Sequence, residues 1–156
     1  MRSWAVWALL AQLGCASLEP AQIQTAGRMG KRDQLERWLA DDRAWVREEA
    51  ALALALDPEA GGLLVRVVAN GEESSWVRAA AAKSLGIVGS KDTVVPLLLG
   101  IAATPNAEPE LKLAAIEASC RLGGAEAVAG LAPVTRDEDL LVAAAAERMV
   151  LRRCAL

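Results

Sequence analysis

Apolar positions along this chain recur in blocks with a period near thirty residues. Five segments align without gaps: LEPAQIQTAGRMG from Leu18, VREEAALALALDP from Val46, VRAAAAKSLGIVG from Val77, LKLAAIEASCRLG from Leu111 and LVAAAAERMVLRR from Leu141, so successive starts lie 28, 31, 34 and 30 residues apart. Offset zero is apolar in all five, and the next position is cationic in three, as Arg47, Arg78 and Lys112. Offsets four and five are small or aliphatic, with Ala50 and Ala51, Ala81 and Ala82, Ala115 and Ile116, Ala145 and Ala146. Offset eight carries Ala26, Leu54, Leu85 and Met149, which completes the i, i+4, i+8 stripe of a helix buried along one face. Gly27, Gly86 and Cys120 follow at offset nine. Gly30, Gly89 and Gly123 at offset twelve predict a left-handed cap at each helix end, and Pro58 stops the second helix by a different route.

A second apolar run follows each stop: Leu35, Trp38 and Leu39; Leu63, Leu64, Val67 and Val68; Val94, Val95, Leu98 and Leu99; Val128, Leu131 and Ala132. Spacings of three and four make these the second helices of four pairs. Acidic clusters then precede the next first helix, at Asp41 and Asp42, Glu72 and Glu73, Glu108 and Glu110, and Asp137 to Asp139. There they complement the positive end of the following helix, and they are placed to pair with Arg47, Arg78 or Lys112 of an adjacent unit. The last helix carries Arg148, Arg152 and Arg153 and is expected to close the stack as a polar cap.

Composition narrows the picture to helix and removes most chemistry. With 54% hydrophobic residues but no Phe and no Tyr, the core must be built from Ala, Leu and Val, and strong helix formers dominate it. At 156 residues there is room for one domain with a sizeable core. Acidic residues outnumber basic ones by 20 to 17, which argues against nucleic acid as a partner, since phosphate binding needs clustered positive charge. The sequence holds no His, so the usual general base and the usual zinc ligand are missing, and no catalytic residues, metal or cofactor are expected. Paired carboxylates such as Glu48 and Glu49 fall on a solvated helix face.

Residues 1–17, MRSWAVWALLAQLGCAS, have one cation at Arg2, an apolar run from Trp4 to Leu13 and a patch of small residues, the layout of a secretory signal peptide. The run is half the roughly twenty residues that a spanning helix needs. Leu13-Gly14-Cys15 resembles the end of a bacterial lipobox, with Cys15 as the lipidated residue, although Gln12 stands where that pattern has Leu; cleavage after Ala16 is the other route, and the residues leave both open. The chain thus divides into an export segment at 1–17 and a helical domain at 18–156.

The pattern VRxxAAxxLGxxG, matched almost throughout by Val77 to Gly89, resembles the short HEAT repeats of the bilin-lyase type. The resemblance covers Leu18 to Leu156. It implies an all-α, right-handed solenoid of about four HEAT-type helical pairs and a closing helix. Such repeats serve as scaffolds, adaptors and enzyme subunits alike, so function must come from the site. Trp45 and Trp76 occupy the same place in successive units, just before Val46 and Val77, with Arg47 and Arg78 beside them, and Trp with Arg is the composition of interface hot spots. On the second helices, which in HEAT solenoids line the concave face, Arg37 and Arg66 are the exposed cations expected to meet a partner. These residues point to a monomeric, non-catalytic scaffold that binds a protein partner in the cell envelope, with a membrane tether if Cys15 is lipidated. The alternative is a cytoplasmic, bilin-lyase-like enzyme subunit or chromophore-handling factor. Cys120 and Cys154, at offsets nine and thirteen of neighbouring helices, are expected to be free thiols, because their heights differ by roughly one helical turn.

Overall fold

The computed structural model describes residues 18–154, so Cys15 and the export segment expected at 1–17 lie outside the described residues. Among the described residues the chain forms α1 (Pro20–Arg28), α2 (Arg32–Trp38), α3 (Ala44–Ala53), α4 (Gly61–Ala69), α5 (Ser75–Val88), α6 (Lys91–Ala102), α7 (Pro109–Gly123), α8 (Ala125–Leu131) and α9 (Leu140–Leu151). Single 3₁₀ turns at Leu54–Leu56 and Pro133–Arg136 extend α3 and α8, and no strand is present among these residues. The architecture is an all-α, HEAT-type solenoid of four helical pairs closed by α9.

The helices fall into two layers. Helices α1, α3, α5, α7 and α9 stack directly on one another, while α2, α4 and α6 stand apart from each other and wedge against the first layer. The reason is side-chain size. The first layer meets through Ala50, Ala51, Ala81, Ala82, Ala114, Ala115 and Ala118, all essentially inaccessible to solvent, and small side chains let helix axes approach closely. The tightly stacked layer is termed the inner layer, and the layer of second helices the outer layer. One expectation is refined by this arrangement. The intimate pairs are α4 with α5 and α6 with α7, that is, a second helix with the first helix of the next unit. Arg37 on α2 and Arg66 on α4 stand on the outer layer.

Offset nine marks close approaches between stacked helices of the inner layer. A Cβ on Gly27 would lie 2.9 Å from the Ala53 carbonyl oxygen, and one on Gly86 would lie 2.9 Å from both Cα and Cβ of Ala118. At offset twelve only Gly30 adopts the left-handed cap, with φ of 65°. Gly89 is extended (φ −73°, ψ 150°), and its Cβ would meet the Leu85 carbonyl oxygen at 2.5 Å, so close approach and not φ selects glycine there. In the fourth unit the helix runs on through Gly123, and the positive φ, 49°, falls one residue later at Gly124.

The burial pattern confirms offset zero for Val46, Val77 and Leu111 and shifts it in the last unit. Leu141 is 71% exposed and Val142 is fully buried, so the final segment is displaced by one residue. As a result α9 presents Leu140, Leu141 and Leu151 to solvent beside Arg148 and Arg152, and the polar cap is in fact partly apolar. Nonpolar burial by residues such as Ile23, Leu54, Leu85, Leu98, Leu111 and Ile116 contributes about 1.5–3 kcal/mol per side chain. The buried hydroxyls are satisfied, since Ser84 Oγ donates to the Ala51 carbonyl across α5 and α3, and Ser119 Oγ to the Ile116 carbonyl.

Cys120 and Cys154 form a disulfide, which corrects the expectation of free thiols. Helix α9 ends at Leu151; Arg153 and Cys154 then take left-handed conformations, and the Cys154 N–H donates to the Met149 carbonyl. This reversal brings the two Cα atoms to 4.9 Å, well inside bridging range. Only a helix continued to Cys154 would hold the two thiols about one turn apart, and α9 stops at Leu151.

Candidate partner-binding edge

Helices α3, α5, α7 and α9 run in the same direction, so their N-termini line one edge of the solenoid. The residue ahead of each buried offset-zero position therefore projects from that edge. These are Trp45 and Trp76, 37% and 61% exposed, the half-buried Glu110 on α7, and Leu141 on α9, 71% exposed. The acidic clusters lie along the same edge, because each immediately precedes an inner helix.

Much of the charge on this edge is engaged internally. Arg47 donates from Nε and Nη2 to the two Glu73 oxygens at 2.8 and 2.9 Å, and from Nη1 to the carbonyls of Asp41 and Asp42. It therefore clamps the turn before α3 to the turn before α5. Burial pushes the Glu73 carboxyl upward, but the Arg47 guanidinium and the Ser74 N–H outweigh that and hold it below its ordinary value. Arg78 donates from Nε to the Val68 carbonyl, capping the end of α4. Lys112, only 6% exposed, meets Asp137 at 2.7 Å, and this bond together with the Asp139 N–H lowers the Asp137 carboxyl. The pairing anticipated between acidic clusters and neighbouring cations thus occurs for Arg47 and Lys112.

Arg43 is the residue that sequence reasoning missed. Its Nε and Nη2 donate to the two Asp41 oxygens at 2.9 and 3.0 Å, and its guanidinium lies over the Trp45 ring, 5.3 Å from the centroid. The Arg43 side chain, reinforced by its backbone N–H, holds the Asp41 carboxyl down to about 2. The available signal was the spacing Asp-x-Arg-x-Trp, which places carboxylate, guanidinium and indole on successive turns of a tight connection. Arg37 and Arg66 are exposed in the last turns of α2 and α4, on the outer layer. Trp45, Trp76, Arg47 and Arg78 are brought together there.

A further feature that the sequence did not reveal is an open cleft of about 360 Å³ between the loop after α6, at Ala103 to Asn106, and the turn at Pro133 to Glu138, with Lys112 and Asp137 at its base. Among the described residues no group of three or more His, Cys, Asp or Glu side chains is placed to hold a metal, and no helix is long and apolar enough to cross a membrane.

No curated protein and no solved structure matches the chain. Residues 33–108, from the first turn of α2 to the residue before α7, match the family model described as HEAT repeats, and the helices on either side of that segment continue the same two-layered, HEAT-type stack.

Proposed function

We propose that this solenoid is a non-catalytic scaffold that captures a protein partner along its tryptophan edge in the cell envelope. The observation that carries the reading is Trp76, a large aromatic side chain left 61% exposed on a rigid helix start, at the position that Trp45 fills one repeat earlier. Exposed aromatics on a preorganised frame contribute strongly to association, because little conformational entropy is lost when they are buried. Arg47 and Arg78 support this edge mainly by fixing its turns, and Arg37 and Arg66 offer cations on the outer layer.

The Cys120–Cys154 disulfide supports export, since such bonds persist in oxidising compartments. Residues 1–17 supply a matching leader, with lipidation at Cys15 as the preferred route to a membrane tether. The resemblance of Val77 to Gly89 to bilin-lyase-type repeats stays a likeness of pattern, and no group in the described site favours lyase chemistry over binding.

Photo-crosslinking in the native host tests the reading. A photoactivatable phenylalanine analogue at position 76 of the full chain should yield one dominant crosslinked protein, and the same probe at position 37 should not. Equal labelling from both positions, or none from position 76, would remove the tryptophan edge as the binding surface.

A further inference from the structure

The two exposed tryptophans occupy equivalent positions in successive repeats, yet their surroundings differ in one respect. In the earlier repeat three groups act together: the Asp41 carboxylate holds the Arg43 guanidinium, and that guanidinium covers the Trp45 ring. The later repeat has the same framework. Glu72 stands four residues before Trp76, as Asp41 does before Trp45, and α5 begins one residue before its tryptophan, as α3 does. The position of Arg43 is taken by Ser74. Each is the residue preceding the first helical turn, each has extended backbone, and neither side chain makes a capping hydrogen bond. The later repeat therefore has the indole and the carboxylate without a cation between them.

The exposures follow this difference. Trp45, beneath Arg43, is 37% accessible, and Trp76 is 61% accessible. Glu72 is exposed, and among the described residues its carboxylate enters no ion pair. A second carboxylate approaches from the next repeat, where Glu110 accepts a hydrogen bond from the hydroxyl of Ser75, the neighbour of Trp76. An aromatic face flanked by negative charge favours a planar cation, which stacks on the ring and pairs with a carboxylate at its edge.

Building on the scaffold reading above, we propose that Trp76 and Glu72 form a seat for an arginine side chain from a basic, extended segment of the partner, in the arrangement that Arg43 supplies internally at Trp45. The edge is preorganised by the Arg47 clamp onto Glu73, so little ordering of this chain accompanies docking. Lysine fits less well, because its compact ammonium cannot stack on the ring and reach a carboxylate in one plane.

The test is a titration of the full-length protein followed by the indole N–H resonances of its tryptophans, with a blocked nine-residue Gly/Ser peptide carrying two arginines as the probe. The Trp76 resonance should shift and saturate while that of Trp45, already covered by Arg43, stays in place. A peptide with citrulline for arginine, equal in shape and uncharged, should bind at least about fivefold more weakly, and Glu72→Gln should weaken the arginine peptide by roughly two- to fivefold. Ser74→Arg should fill the seat from within and abolish the Trp76 shift, with the helical circular dichroism spectrum unchanged. An unmoved Trp76 resonance, an equal response to citrulline, or a Ser74→Arg variant that binds like wild type would each overturn the proposal. Crosslinking with the photoactivatable residue at the exposed position 71, which leaves Trp76 intact, separates the two readings: if Ser74→Arg still captures the partner from there, the arginine seat fails and the scaffold stands. If the titration succeeds and wild type captures nothing, the scaffold reading fails and the seat stands.

Discussion

Replacing Gly86 by Ala probes the close stacking of the inner layer. The added Cβ would lie 2.9 Å from the Cα and Cβ of Ala118 on α7, against an optimum for nonbonded carbons of about 3.5–4.0 Å. The deficit is thus roughly 0.6–1.1 Å, and the atoms that must yield include helix backbone, not the end of a flexible side chain. Helices α5 and α7 would have to separate while α6 and α9 hold α7 in place, an overpacking of the kind that costs about 1–3 kcal/mol. Opposing this is the helix-propensity advantage of Ala over Gly, about 0.5–1 kcal/mol. Net destabilisation of about 0.5–2 kcal/mol follows. Gly100→Ala is the matched control, because Gly100 lies inside α6 with nothing within 4 Å of the added atom, so propensity acts alone and stability should rise by about 0.5–1 kcal/mol. Urea unfolding monitored at 222 nm reads both changes. If Gly86→Ala proved as stabilising as Gly100→Ala, the layers would not be in the close contact described.

Lys112→Met should lower stability by roughly 2–4 kcal/mol in the same urea assay, toward the low end for a buried pair because Asp137 borders an open cleft and keeps the Asp139 N–H, and adding Asp137→Leu should recover most of the loss. Asp137, Glu73 and Asp41 all have folded values below the ordinary carboxylate range, Asp41 at about 2, so their contributions are complete above pH of about 5 and are lost as pH falls through the lower folded values; melting temperatures measured from pH 6 to pH 2 should fall over that window, and Arg47→Met should flatten the part due to Glu73. Reduction of Cys120–Cys154 opens a link of sequence separation 34, for which loop entropy predicts a loss of about 3–4 kcal/mol, so dithiothreitol should lower the melting temperature by roughly 10 °C, and no lowering would mean that the bridge constrains little. Detergent-phase partitioning that Cys15→Ser abolishes is expected of the full chain; wild type found wholly in the aqueous phase with Ser17 at its N-terminus would favour ordinary cleavage.

The periodicity alone determined that the chain is a stack of helix pairs, because burial of one helix face requires apolar residues at i, i+4 and i+8, and Val46 to Leu54 or Val77 to Leu85 cannot satisfy that spacing in any other regular structure. The pairing of Arg47 and Lys112 with acidic clusters was legible too, since charges one repeat apart must become neighbours when repeats stack. Which helix packs against which was not. A repeating pattern has no intrinsic phase, so the grouping of α4 with α5 was decided by tertiary packing. The one-residue shift in α9 escaped notice because Leu141 and Val142 are equally apolar as letters, and only the packing surface of α7 distinguishes them. The disulfide depended on where α9 stops, a matter of backbone conformation at Arg153 and Cys154 that no side-chain pattern encodes. Trp45 and Trp76 were visible as equivalents, but the guanidinium over one and the unfilled space over the other arise from how a turn folds back across a ring, which is a property of three-dimensional approach and not of order along the chain.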